Sequence, residues 1–80
     1  MTMERNDIER RIASLTACLK PMVLVFTYPN GKSAKIAYKA DERKFMLHLG
    51  GNAYAYTDDV RSMALLVMAM GAAMIQELPS

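Results

Sequence analysis

Apolar and polar positions change period twice along this chain. Ile8, Ile12, Leu15 and Leu19 recur at spacings of four, three and four, which stacks them on one stripe of a helix. Glu4, Arg5, Glu9, Arg10 and Arg11 fall mostly off that stripe and form a solvated face. Asn6 followed by Glu9 has the spacing of a capping box, and Pro21 is placed to stop the helix after Lys20.

At Met22 the period drops to two. The segment Met22 to Tyr28 (MVLVFTY) is rich in β-branched and aromatic residues, as a strand requires. Tyr28-Pro29-Asn30-Gly31-Lys32 is a hairpin signal with two registers open to it. A two-residue Asn-Gly loop sets Phe26 against Lys35 and Leu24 against Ala37. A three-residue loop uses Pro29-Asn30 as the centre of a type I turn, with Gly31 in the left-handed bulge position. It sets Phe26 against Ala34, Leu24 against Ile36 and Met22 against Tyr38. A slip of one residue turns every side chain to the other face, so the three-residue loop is expected because it sorts apolar with apolar.

Ser33 to Lys39 then forms the second strand, Lys44 to Leu49 a third after the turn at Asp41-Glu42-Arg43, and Ala53 to Tyr56 a short fourth after Gly50-Gly51-Asn52. Asp58 and Asp59 supply an N-cap and favourable charge for a final helix, expected to run to about Glu77 and stop before Pro79. Its core stripe would be Val60, Met63, Val67, Met70, Met74 and Leu78. The expected fold is therefore α+β: a single domain over residues 1–80, a small two-layer sandwich of order α-β-β-β-β-α. Its antiparallel meander would carry both helices on one face. The other sheet face, with Val23, Val25, Thr27, Lys35, Lys39, Met46 and His48, is left to water or to a partner.

Within that frame one stretch is unusual. Met63 to Ile75 (MALLVMAMGAAMI) runs for thirteen residues without a charge, four of them methionine. It is too short to span a bilayer, which takes about 20 apolar residues. The side of the expected helix opposite its core stripe carries Leu65, Ala69, Ala72 and Ala73. Small residues there allow close approach of a second helix, so these four are the candidate self-association residues of a homodimer. Eighty residues bury only a modest share of their unfolded surface, and a second copy would add to it.

Composition narrows the chemistry. Apolar residues make up 52% of the chain, which argues against disorder. Cys18 is the one cysteine and His48 the one histidine, so neither an intramolecular disulfide nor a structural zinc site can form, and a reducing cytoplasm is expected. The first residues lack the apolar core of a secretory signal. No serine or cysteine lies in a nucleophile motif, Gly50-Gly51-Asn52 is no phosphate loop, and helix capping accounts for Asp58-Asp59. No cofactor, metal or enzymatic activity is expected, and no membrane attachment.

Charge points to a surface. The net charge is +2, yet from Lys20 to Lys44 six bases stand against two acids, which concentrates positive potential in the middle third. Lys32, Lys35, Lys39, Arg43 and Lys44, with Tyr28 beside them, are the candidate partner-binding residues. Small size and no cofactor chemistry suit a protein-binding inhibitor or adaptor, acting as a homodimer on a larger protein or nucleoprotein. Phage and mobile-element accessory proteins, anti-CRISPR inhibitors among them, share that size and style. The alternative is a small nucleic-acid-binding regulator, with the same lysines on phosphates and tyrosines (Tyr28, Tyr38, Tyr54, Tyr56) stacking on bases.

Overall fold

The computed structural model describes residues 4–17, 22–71 and 74–79. Its elements are α1 (Arg5–Ser14), a short 3-10 turn (Leu15–Ala17), β1 (Met22–Thr27), β2 (Ser33–Lys39), β3 (Lys44–Leu49), β4 (Asn52–Thr57), α2 (Val60–Ala69) and β5 (Met74–Pro79). The expected α-β-β-β-β-α order is present, with a fifth strand after it. All strand pairs are antiparallel, in the spatial order β4-β3-β2-β1-β5.

The first hairpin adopts the three-residue loop. Phe26 pairs with Ala34 and Leu24 with Ile36. The Gly31 amide donates to the Tyr28 carbonyl at 2.9 Å, and Gly31 takes φ +86°, a conformation that costs glycine little and other residues more. That register sorts the sheet. Leu24, Ile36, Leu47 and Ala55 lie abreast on one face, as do Phe26, Ala34 and Leu49. Helix residues Ile8, Ile12 and Leu15 from the first segment and Met63, Ala64 and Val67 from α2 join this face in one buried cluster. Both helices therefore sit on the same side of the sheet. Burying each large side chain of that cluster contributes about 1.5–3 kcal/mol.

Two helix boundaries differ from expectation. Glu4, not Asn6, is the N-cap of α1, and no side chain caps that end. Asn6 lies within the first turn, and Glu9 instead pairs with Arg5 at 3.1 Å, so the capping box does not form. Leu19 and the stop expected at Lys20-Pro21 lie outside the described residues.

The larger correction concerns the last helix. It ends at Ala69, not near Glu77, and Met74 and Leu78 belong to a strand rather than to its core stripe. Gly71, at φ +80°, donates its amide to the Met68 carbonyl at 3.0 Å, which terminates the helix in the left-handed manner glycine favours. The strand β5 then pairs with β1 from Met22↔Pro79 to Thr27↔Met74. Without that pairing the apolar strand MVLVFT would present an open row of backbone donors and acceptors. Satisfying that edge outweighs the helix preference of methionine and alanine.

Candidate docking face

Strand alternation sends the remaining side chains to the face opposite the helices, and no described element lies over it. One row crosses all five strands: Leu78 of β5, Val23 of β1, Ala37 of β2, Met46 of β3 and Tyr56 of β4 stand abreast. Val23, between Leu78 and Ala37 in this row, is only 7% exposed. The two ends of the row are open, Leu78 at 41% and Tyr56 at 42% exposure. The neighbouring row is mixed: Gln76, Val25, Lys35, His48 and Ala53.

At one end of this face the charges are organised. Lys39 and Lys44 are directly opposite each other, an arrangement that repels across a strand pair. Two groups relieve it. The Lys39 ammonium lies 2.9 Å from Glu42, and the Lys44 ammonium sits 4.9 Å from the centre of the Tyr56 ring, within cation–π range. The Tyr56 hydroxyl donates to Glu42. That bond, then the contact with Lys39, holds the Glu42 carboxyl below its ordinary range. The same bond to Glu42 raises the Tyr56 phenol, and the bond from Lys39 to Glu42 raises the Lys39 ammonium.

The residues expected to bind a partner are thus divided. Lys39 and Lys44 come together with Tyr56 and Glu42. Arg43 sits in the same turn, at φ +55°. Lys35 projects from the middle of the face and is exposed. Lys32 lies beyond the other end of β2, roughly 23 Å of strand from Lys39 at about 3.3 Å per residue. Lys32, Lys35 and Arg43 make no ion pair with a described residue. The bases form a string along β2 with a cluster at one end, not a single patch.

Tyr28 does not belong to this surface. It is 8% exposed and lies in the core cluster on the helix side, because it shares parity with Leu24 and Phe26. Its hydroxyl reaches the Met70 sulfur at 3.8 Å, and burial raises its pKa. Met70, Tyr28 and the turns at Asn30–Ser33 and Leu49–Gly50 line an open cavity of about 670 Å³.

Of the expected self-association residues, Leu65 is 47% exposed and Ala69 is exposed on α2. Both line a shallow groove with Ala55, Tyr56 and Thr57 of β4. Ala72 and Ala73 lie outside the described residues. Asp59 caps α2 as expected: its carboxylate accepts the Arg61 amide at 3.1 Å and the Ser62 hydroxyl at 2.7 Å.

The outer face also holds Met74 and Leu78, which sequence reasoning placed on the core stripe of the last helix, beside Ala37 and Tyr56. The signal for the first two was the alternation Met74-x-Gln76-x-Leu78 after Gly71. Among the described residues no three of His, Cys, Asp and Glu converge as a metal site. No helix among them is long and apolar enough to cross a membrane. No protein-family model, no curated protein and no solved structure matches this chain.

Proposed function

We propose that this chain is a non-enzymatic protein-binding module of the inhibitor or adaptor kind, acting as a homodimer, that offers its helix-free sheet face to a larger protein. The observation that carries the reading is the apolar row Leu78–Val23–Ala37–Met46–Tyr56, which spans the full width of the sheet with no described element over it. A rigid apolar strip rimmed by lysines has the make-up of a protein interface, an apolar centre with a polar border. Nucleic-acid binding is the weaker reading, because Lys39 and Lys44 are engaged by Glu42 and Tyr56. Few cations on the face are then left for phosphates.

The test is affinity capture with wild type and Met46→Glu, each from nuclease-treated and untreated lysate. The expected result is one stoichiometric protein that wild type retains after nuclease and Met46→Glu loses. Equal retention by the variant would reject the face. Capture that vanishes with nuclease, and falls steeply with salt, would establish the nucleic-acid reading instead.

A further inference from the structure

The open cavity at the sheet end away from Glu42 has a chemistry of its own. It lies where the β1–β2 and β3–β4 turns come together beside Met70, at the end of α2. Its volume of about 670 Å³ falls within the roughly 300–1,000 Å³ of small-molecule sites. Leu49, Met70 and Tyr28 give it apolar walls, and Ser33 and Lys32 are among its polar lining residues. Among the described residues no carboxylate lines it.

Core packing does not account for the Tyr28 hydroxyl. Tyr28 is only 8% exposed, yet its hydroxyl's hydrogen bond to a described residue is the 3.8 Å contact with the Met70 sulfur. A thioether is a weak acceptor, and a buried phenol ordinarily finds a better one. Burial raises the Tyr28 pKa, so the phenol stays a donor across the neutral range.

The turn that carries the cation is held in place. The Lys32 amide donates to the Asn30 side-chain oxygen at 2.9 Å, and the Lys32 carbonyl accepts the Tyr28 amide at 2.9 Å. Lys32 makes no ion pair with a described residue. The end of α2 offers little opposing potential, because the Leu66 and Met68 carbonyls already accept the Met70 and Gly71 amides. Those bonds blunt the partial negative charge of a helix end.

We infer that this cavity is a binding site for a small amphipathic monoanion, an apolar aromatic body bearing one carboxylate. The body lies against Leu49 and Met70, a carboxylate oxygen accepts the Tyr28 hydroxyl, and the Lys32 ammonium meets the charge from the rim. A phenol without a strong acceptor selects an acceptor oxygen, and a cation with no carboxylate beside it selects a negative charge. The site stands apart from the protein-docking face and does not depend on it.

The probes are naphthoate and naphthamide, which share a ring system and a carbonyl but differ in charge. Each is titrated against the protein's amide spectrum by NMR. Naphthoate should saturate one site and shift the Gly31, Ser33 and Gly50 amides, leaving Lys35 and Met46 on the outer face unmoved. Tyr28→Phe, which keeps the ring, should weaken naphthoate about tenfold. Lys32→Gln should weaken it about threefold, as loss of an exposed ion pair does, and leave naphthamide unchanged. Naphthoate that shifts nothing around the cavity at millimolar concentration overturns the site, as does saturation confined to the outer face. Naphthamide that binds wild type as tightly as naphthoate overturns the anionic ligand class. Naphthoate affinity unchanged in both folded variants overturns the assignment of Tyr28 and Lys32. Should Tyr28→Phe unfold, the exposed Lys32→Gln and the two probes on wild type decide.

Discussion

Glu42, in the turn between β2 and β3, accepts the hydroxyl of Tyr56 from the edge strand β4. This bond ties a turn to a strand that is not its immediate neighbour and gives the Lys39–Lys44 pair a counter-charge. The folded carboxyl titrates below its ordinary value of 4.5. Its contribution to stability is thus present above that pH and is lost as pH falls through the lower folded value. An NMR titration of the Glu42 side chain should give a midpoint below 4.5, and Tyr56→Phe should move it upward. A midpoint unchanged in the variant would show that the hydroxyl does not hold the carboxylate. At the alkaline end the sign reverses. The raised Tyr56 phenol favours the fold below its ordinary value of 10.0 and ceases to as pH climbs through the folded one.

Asp59 supports α2 through the Ser62 hydroxyl and the Arg61 amide, and these bonds lower its carboxyl pKa. Asp59→Ala removes the oxygen that accepts these bonds and should lower the thermal midpoint, as loss of an N-cap acceptor does. Asp59→Asn, which keeps the acceptor, should recover most of that loss. Equal melting of the two variants would place the effect in the charge rather than in the cap.

Gly71 stands at the junction where helix gives way to strand. Gly71→Ala forces a Cβ into the left-handed region, at about 1–2 kcal/mol. Nothing lies within 4 Å of a Cβ built there, so the penalty is purely conformational. Gly71→Asn, which tolerates that region better, should therefore sit between wild type and alanine in denaturant midpoint. An alanine variant as stable as wild type would mean that the junction is not held at positive φ.

Ala64 is fully buried in α2, among core residues contributed by both helices and the sheet. Ala64→Leu adds volume that cannot be accommodated without moving a helix, and should cost about 1–3 kcal/mol. Met68→Leu, at an exposed position of the same helix outside that groove, should change stability by less than about 0.5 kcal/mol. Similar losses at both positions would contradict the assignment of the buried side.

The hairpin was legible in the sequence because two independent constraints agreed: Pro29 and Gly31 suit one turn, and Phe26–Ala34 and Leu24–Ile36 suit one register. The third strand and the cap at Asp59 were legible for similar local reasons. The fifth strand was not. Methionine and alanine are good helix formers, and nothing within Met63–Ile75 reveals that β1, far away in sequence, needs a neighbour. Tyr28 was misplaced for a related reason, since closeness to lysines along the chain says nothing about which face a strand residue takes. Its parity with Leu24 and Phe26 did say so. The lysine cluster was half legible: Lys39 and Lys44 fall together because the strands around the turn are adjacent. Their engagement by Tyr56 needed the β3–β4 pairing as well.

The pairing of β1 with β5 also sets the order in which the molecule can be completed. On the ribosome, β1 is made early and can pair with β2 as soon as that strand emerges, with β3 and β4 adding in turn, each beside the one before it. Its other side must wait until Met74 to Pro79 has left the exit tunnel. Through that interval the nascent chain carries an apolar strand with one flank bare. Whatever shields Val23, Leu24 and Phe26 from neighbouring nascent chains during synthesis must act before the last strand arrives.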